Sequence, residues 1–245
     1  MKISTRARRL SLPVLPGTKV SVRYRKAPHA VALLVLAHGA GAGMTHPFMA
    51  AVADRLAEAG VSTLRFQFPY MEAGSRRPDR PAMAHATIRA AVRKAATLAP
   101  GLPLFAGGKS FGGRMTSQAQ ALEPLPNVRG LVFLGFPLHP PEKPSVDRAA
   151  HLLDIRIPLL FIQGTRDGFA RPALLRKVLK SLGKRATFRP VKDADHSFGV
   201  LVRSGRSPEE EVVREIAGVV AEWMRGRESA ESLLAGCRNR FFRFV

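Results

Sequence analysis

The chain has 245 residues, 46% of them hydrophobic, and its 39 lysine and arginine residues against 18 acidic ones give a formal net charge of +21. Its single cysteine, Cys237, excludes an internal disulfide and a metal site built from cysteines. The longest apolar runs, such as residues 30–37, are far shorter than the ~20 residues of a membrane-spanning helix, and Pro13 and Pro16 interrupt the N-terminal segment where a signal peptide would be apolar, so we expect a cytoplasmic protein.

Short apolar runs alternate with helical patterns along the chain, which is typical of an α/β fold with a mainly parallel central sheet flanked by helices. The predicted strands cover residues 20–24, 31–36, 62–66, 103–106, 128–134, 159–163 and 186–190. The predicted helices cover residues 47–59, 81–98, 111–122 and 172–182, and a final helix begins after an N-cap at Ser207, with Glu210 completing a capping box. We expect one domain over residues 1–226 and a basic tail over residues 227–245, for which the sequence leaves open a disordered extension, a docking segment or an amphipathic anchor.

A glycine-rich stretch, AHGAGAG at residues 37–43, follows the second predicted strand. It resembles the His-Gly-rich loop of esterases, in which one backbone N–H joins that of the residue after the nucleophile to bind an oxyanion. Flanking glycines would let a substrate carbonyl approach the main chain. We therefore expect Ala40 and Phe111 to supply the oxyanion donors, and an ordinary glycine-rich turn is the alternative if no nucleophile accompanies the loop.

The stretch FAGGKSFGG, residues 105–113, supports two interpretations. A phosphate-binding loop that ends in Gly-Lys-Ser needs a glycine with a free N–H at residue 103, but Pro103 has no N–H. The Gly-x-Ser-x-Gly pattern of a nucleophile elbow fits residues 108–112, which lie between a predicted strand and a predicted helix as that elbow requires. The sequence therefore predicts Ser110 as a nucleophile, and we expect the side chain of Lys109 to point away from it and to matter little.

A nucleophilic serine needs a base, and the base needs an acid that orients it. In α/β-hydrolases the chain order is serine, acid, histidine. His196 follows the last predicted strand, and Asp167 follows the preceding strand after one short turn. Asp193 and Asp195 compete for the role of the acid, but near neighbours on one loop seldom orient the histidine ring correctly. The predicted catalytic residues are therefore Ser110, Asp167 and His196.

Six stretches carry a resemblance to a known family: HGAGAGMTHPFM, RFQFPY, GGKSFGGRM, GFPLHPP, LLFIQGTRD and DADHSF. Through them, the chain resembles small serine hydrolases of the α/β-hydrolase superfamily, in the dienelactone-hydrolase-like branch, from about residue 31 to residue 223. The resemblance implies the α/β-hydrolase fold, a small ester-like substrate and no metal or organic cofactor. Dienelactone hydrolases proper use a cysteine nucleophile, whereas this chain has Ser110, so their particular substrate is not implied.

The segment between the strands at residues 128–134 and 159–163 has room for a loop but hardly for a large cap domain. We therefore expect a fairly open pocket that accepts small or accessible esters. The residues predicted to line it are His38, Gly39, Tyr70, Met71, Phe136 and His139.

The positive charge leaves an alternative function from another class, a non-catalytic hydrolase-fold protein whose basic surface binds an anionic partner. The same branch also resembles a regulatory subunit of chromatin-modifying assemblies, which is a binding role. The arginines are scattered along the chain and are not interleaved with aromatic residues, so we expect no specific nucleic-acid partner. The sequence does not predict an oligomeric state.

Overall fold

The computed structural model describes the backbone of residues 7–241 and the side chains of residues 7–208 and 210–227. Its centre is an eight-stranded sheet in the order β1-β2-β4-β3-β5-β6-β7-β8. The strands are β1 (Arg8–Leu15), β2 (Thr18–Arg25), β3 (Ala32–Ala37), β4 (Val61–Phe66), β5 (Leu104–Lys109), β6 (Val128–Leu134), β7 (Leu159–Gly164) and β8 (Ala186–Val191). β2 pairs antiparallel with both of its neighbours, and all the other pairs are parallel.

Helices connect the parallel strands. The α-helices of the described chain are α1 (Pro47–Glu58), α2 (Pro69–Glu72), α3 (Pro81–Leu98), α4 (Phe111–Leu122), α5 (Pro172–Leu182) and α6 (Val213–Phe241). Short 3₁₀-helical segments cover Asp147–Asp154, Gly183–Arg185 and Val202–Ser204, and a π-helical turn covers Pro208–Val212. Proline stands in the first turn of most of these helices, where its missing N–H would have no intrahelical acceptor.

The sheet is covered on both faces. On one face, α3, α4 and α5 bury apolar residues such as Ile88, Met115 and Leu175 in a common core. On the other face, α1 and α6 bury residues such as Val52 and Ile216 in a second core. The strands β3, β4 and β7 are buried along their whole length because both of their faces are covered. This architecture confirms the predicted α/β fold with its mainly parallel sheet.

The sequence patterns did not predict the edge strand β1. Only Leu12 and Val14 of this strand are buried, and Pro13 stands between them. An edge strand tolerates proline because one row of its N–H groups has no partner strand. The helix α2 was also missed, because four residues are too few to show a helical period.

The last helix begins with the predicted cap, since the Oγ of Ser207 accepts a hydrogen bond from the N–H of Glu210 at 3.3 Å. The chain then makes the π-helical turn before regular α-helix starts at Val213. The backbone of α6 continues past residue 226, where we placed the domain boundary, so that division stays a prediction. The side chains of residues 228–245, including Cys237, lie outside the described residues.

The connection between β6 and β7 contains the 3₁₀-helical segment Asp147–Asp154 and no cap domain. The carboxyl ends of the central strands are therefore accessible, as predicted. Within the described residues, no helix is long and apolar enough to cross a membrane.

Candidate active site

Ser110 lies on a sharp turn between β5 and α4. Its backbone has φ 48° and ψ −114°, a conformation that a non-glycine residue adopts only when its surroundings impose it. Neighbouring glycines make this turn possible: a Cβ on Gly108 would lie 2.3 Å from the carbonyl oxygen of Ala37, and one on Gly112 would lie 2.5 Å from that of His38. The main chain after β3 therefore packs directly against the turn that carries Ser110.

His196 and Asp167 meet Ser110 at the carboxyl edge of the sheet. The Nε2 atom of His196 lies 2.8 Å from Oγ of Ser110, and its Nδ1 atom lies 2.7 Å from Oδ2 of Asp167. Because a carboxylate can only accept, Nδ1 carries the proton and Nε2 accepts from the serine hydroxyl. The three predicted residues thus form one continuous hydrogen-bonded chain, the arrangement with which a histidine can take a proton from a serine.

Asp167 is held in a fixed orientation. Its side chain is 0% exposed, and its Oδ1 atom accepts from the N–H of Phe169 at 2.8 Å. The Nε2 of Gln163, the penultimate residue of β7, donates to Oδ2 at 2.5 Å. Gln163 is fixed in turn, because its Oε1 accepts from the N–H of Phe136 at 2.8 Å. Sequence reasoning missed Gln163, although a polar residue at the end of the apolar strand LLFIQ was a usable signal.

The competing carboxylates have other partners. Oδ1 of Asp195 accepts from the N–H groups of Ser197 and Gly199, at 2.8 and 2.9 Å, and so closes the loop that carries His196. Asp193 has a left-handed backbone with φ 58°, and its N–H donates to Oγ1 of Thr165. Asp167 is therefore the carboxylate that contacts the histidine ring.

Of the predicted oxyanion donors, Phe111 follows Ser110 in the chain and Ala40 borders the same cavity as Ser110. Phe111 is the first residue of α4, where backbone N–H groups have no intrahelical acceptor and carry the positive end of the helix dipole. Ala40 and Gly39 line the same cavity as Ser110. Ala40 therefore borders the cavity beside Ser110 and Phe111 directly follows Ser110 in the chain, and their role as donors stays a prediction.

The loop that contains Ala40 is fixed by the buried imidazole of His38. The ring donates from Nδ1 to the carbonyl of Gly39 at 2.8 Å and accepts at Nε2 from the N–H of Phe68 at 3.1 Å. Burial lowers the pKa of His38, which matches the neutral form that these two bonds require. Further along the loop, Met44 is held at both its N–H and its carbonyl, by the side chains of Gln67 and Arg65.

A cavity of about 300 Å³ opens beside Ser110. It is lined by Gly39, Ala40, Ala42, His46, Phe48, Met49, Lys109, Ser110, Phe169, His196 and Ser197. The ring of Phe169 lies against that of His196, with 4.3 Å between centroids. The space next to the nucleophile is therefore small and bordered by apolar and aromatic side chains.

Of the residues predicted to line the pocket, Gly39 borders this cavity and the other five do not. His38 is buried beside the glycine-rich loop of residues 39–43, and Tyr70 packs edge-on against Phe111. Met71 packs against the core. Tyr70 and Met71 lie on α2 and pack towards the core, whereas His38 is held in place by its bonds to Gly39 and Phe68.

Phe136 and His139 are the other two corrections. Phe136 is buried among core aromatics, including Phe133 at 5.1 Å between centroids. His139 is also fully buried, donating from Nδ1 to the carbonyl of Pro140 and accepting at Nε2 from the N–H of Arg171. The backbone N–H of Phe136 donates to Gln163, and the His139 ring links its own segment to Arg171.

The expectation for Lys109 was wrong. Its side chain lines the cavity, and its Nζ atom donates to the carbonyl oxygen of His196 at 2.6 Å. Burial lowers the pKa of Lys109 to about 8, although Asp167 and Asp195 act in the opposite direction. The ammonium group of Lys109 therefore contacts the main chain of the histidine whose ring contacts Ser110.

The described residues contain no group of three or more His, Cys, Asp or Glu side chains placed to hold a metal ion. The hydrogen-bonded chain around Ser110 is composed of side chains alone.

A family model described as an alpha/beta hydrolase domain matches residues 30–225. The match spans both sheet faces and all three residues of the hydrogen-bonded chain. The protein therefore belongs to the alpha/beta hydrolase domain family and is a hydrolase.

Solved structures with the same fold include dienelactone hydrolase from Anabaena variabilis, with a TM-score of 0.69 at 21% identity over 90% of this chain and 97% of that one. An α/β serine hydrolase without a lid from Xanthomonas campestris gives a TM-score of 0.68 at 19% identity, over 90% and 96% of the two chains. Est1E from Butyrivibrio proteoclasticus, solved with ferulic acid bound, gives 0.67 at 17% identity, over 90% and 99%. These matches confirm the α/β-hydrolase fold without a cap.

Proposed function

We propose that the protein is a serine hydrolase that cleaves a carboxylic ester or related acyl bond through an acyl-serine intermediate. The observation that carries the proposal is the unbroken hydrogen-bonded chain from Ser110 through His196 to Asp167, with separations of 2.8 and 2.7 Å. A serine hydroxyl is a weak nucleophile unless a base removes its proton, and this chain supplies a base whose ring is already oriented.

In the first half of the reaction, Oγ of Ser110 attacks the substrate carbonyl while Nε2 of His196 takes its proton. The Asp167 carboxylate stabilises the imidazolium that results. The negative charge on the carbonyl oxygen is accepted by the N–H groups of Ala40 and Phe111. His196 then returns the proton to the leaving alcohol, and the acyl group remains on Ser110.

In the second half, water takes the place of the alcohol. His196 removes a proton from the water as it attacks the acyl carbon, and the proton passes to Ser110 as the acid leaves. The cavity of about 300 Å³ beside Ser110, with Phe48, Met49 and Phe169 in its wall, favours a short apolar or aromatic acyl group. The ferulic acid bound to Est1E, a protein of similar fold, agrees with a small acid product.

The experiment combines labelling with a fluorophosphonate probe and hydrolysis of p-nitrophenyl acetate, butyrate and laurate. Wild-type protein should react with the probe at Ser110 and hydrolyse the two short esters faster than the laurate. Ser110→Ala should lose both activities while keeping its circular dichroism spectrum.

A second serine gives a matched control. Ser117 lies 2.7 Å from Nε2 of His151 and 2.9 Å from the carbonyl oxygen of Arg114, but it is fully buried, so a probe does not reach it. Ser117→Ala should therefore label like the wild type. Folded wild-type protein that resists the probe, or a probe adduct on Ser117, would contradict the proposal.

A further inference from the structure

Lys109 joins the nucleophile to the loop of the base. It is the last residue of β5 and pairs with Leu134 of β6, so its backbone is fixed in the centre of the sheet directly before Ser110. Its side chain extends to the loop that carries His196, where Nζ donates to the carbonyl of that residue at 2.6 Å. The same ammonium lies 5.4 Å from the centre of the Phe198 ring, within the range of a cation–π contact.

Gly135 has no side chain and so leaves room for the Nζ atom of Lys109 beside His196. A Cβ on Gly135, whose φ is 71°, would lie 3.2 Å from Nζ and 3.5 Å from Nδ1 of His196. The titratable and charged groups that face the ammonium are Asp167, Asp195 and His196 itself.

We propose that Lys109 is a positioning residue, whose ammonium group holds the His196 loop against β5 so that Nε2 stays within hydrogen-bonding distance of Ser110. The inference rests on the proposed function, because its effect on rate presupposes that His196 is the base.

The ring of His196 is held by Asp167 and Phe169, and the buried ring of Phe198 stacks on Phe48 further along the loop. Lys109 holds a different part of the residue, the main-chain carbonyl of His196.

Asp195 bonds mainly within the loop, to the N–H groups of Ser197 and Gly199. The contact of Arg166 N–H with the carbonyl of Ala194, at 2.9 Å, anchors the loop before the histidine. Lys109 anchors it at the histidine itself. A displacement of about 1 Å at a reacting group can lower a rate on the order of a hundredfold, so this contact bears directly on catalysis.

The activity should depend on pH in a way that reflects the charge of Lys109. Burial lowers the pKa of Lys109 to about 8, against the 10.5 of an exposed lysine. A charged donor forms the stronger hydrogen bond, so deprotonation above pH 8 weakens the hold on His196.

Stability changes in the opposite direction over the same range. Between the folded pKa of about 8 and the unfolded value of 10.5, the unfolded chain binds the proton that the folded protein has lost. The contribution of Lys109 to the free energy of unfolding therefore rises with pH in this window, while its contribution to positioning falls. If Lys109 only supported the fold, kcat would not fall over the pH range in which the free energy of unfolding rises.

The test compares Lys109→Met, which keeps most of the apolar stem, with Lys192→Met, the same change at an exposed lysine before the loop. Lys109→Met should lower kcat for p-nitrophenyl acetate roughly tenfold or more. The decline of kcat above pH 8 that is expected for the wild type should be absent from Lys109→Met. The urea midpoint of this variant should be no lower than that of the wild type. Lys192→Met should match the wild type in all three measurements.

Chemical rescue gives an independent readout. Lys109→Ala lacks the three carbons and the nitrogen of propylamine, so added propylammonium should restore part of its kcat, whereas tetramethylammonium should not. Recovery by a small cation of the right length is expected of a missing contact and not of a misfolded chain.

Hydrogen–deuterium exchange separates the two proposals. In the Ser110→Ala background, Lys109→Met should raise exchange in the peptide that covers residues 192–201, whether or not the protein is an esterase. If wild-type protein were inert and this exchange still rose, the proposed function would fall and the positioning role would stand. If the wild type were active and Lys109→Met changed neither kcat nor exchange, the positioning role would be overturned.

Discussion

Gln163, near the end of β7, and Asp167, in the turn that follows this strand, are joined by a 2.5 Å hydrogen bond from the amide Nε2 to the carboxylate Oδ2. The same oxygen accepts from His196, so the amide and the imidazole share one acceptor atom. Because Gln163 also accepts from the N–H of Phe136, its amide cannot rotate without breaking a second bond. The orientation of Asp167 therefore depends on a side chain that does not contact the nucleophile.

Gln163→Met should lower kcat for a short ester about tenfold, because a hydrogen bond to a charged group typically contributes about 1.5–3 kcal/mol. KM should change little, since Gln163 does not border the cavity. Gln163→Glu should cost more than Gln163→Met, because it places a second carboxylate against Asp167. Steady-state kinetics on the three proteins check both statements, and a Gln163→Glu variant as active as the wild type would disprove the role.

Asp167→Asn should lower kcat by up to about four orders of magnitude, as in the equivalent change in chymotrypsin-type triads, because the amide favours the wrong tautomer of His196. Asp193→Asn should be nearly neutral, since asparagine suits its left-handed backbone. Asp195→Asn should cost far less than Asp167→Asn, because it acts only through the loop. A larger loss at Asp195 than at Asp167 would reverse the assignment of the acid.

Ser110→Gly should give a more stable protein than Ser110→Ala, by about 1 kcal/mol or about 2–4 °C in Tm. The reason is the left-handed φ of 48° at this position, which glycine adopts without the steric strain of a Cβ. Thermal unfolding of the two inactive variants measures the difference. Ser197, which has no positive φ, should show the opposite order, because glycine there only adds entropy to the unfolded chain.

Acid should destabilise the protein through its buried histidines. Burial, with a further contribution from Arg114, lowers the pKa of His151 to about 4, and burial also lowers the pKa values of His38 and His85. Between pH 6.5 and 4 the unfolded chain therefore binds protons that the folded protein does not, so the free energy of unfolding falls as the pH falls. Urea unfolding midpoints at several pH values should show this slope.

His151→Gln should make that slope shallower, because it removes the group whose pKa burial lowers most clearly. Equal slopes for wild type and His151→Gln would show that His151 is not buried in its neutral form.

The net charge of +21 should give only weak, unspecific attraction to nucleic acid. Binding to generic duplex DNA near physiological salt should have a dissociation constant of about 1 μM or weaker and should fall steeply as salt rises. Fluorescence anisotropy with two unrelated duplexes measures it. Sub-micromolar binding that distinguishes the two sequences would favour the non-catalytic alternative.

The sequence predicted the seven strands β2 to β8 because the central ones are continuous apolar runs, buried on both faces. It missed β1, whose polar residues and Pro13 are tolerated only because the strand lies at an edge. The order of Ser110, Asp167 and His196 was readable because each follows the carboxyl end of a strand, and those ends converge at one edge of the sheet. That the three side chains meet follows from this topology, and their catalytic role stays a prediction.

The sequence did not predict the direction in which individual side chains point. Tyr70 and Phe136 each follow a strand, as Ser110, Asp167 and His196 do, but both rings turn into the core. Lys109 turns towards the histidine because Gly135 leaves space for its ammonium, and that neighbour is brought there only by the pairing of β5 with β6. Such directions depend on contacts between distant segments, which a local pattern does not contain.

Trp223 of α6 is the only tryptophan in the chain, and it gives the protein a built-in optical reporter. Its indole is 9% exposed, donates to Oγ1 of Thr187 on β8, and packs so closely on β6 that a Cβ on Gly130 would lie 2.6 Å from the ring. Thr187 and Gly130 stand near the beginnings of their strands, whereas Ser110 and His196 follow strand ends. The emission spectrum should therefore be blue-shifted, insensitive to ligands at Ser110, and sensitive to the separation of α6 from the sheet.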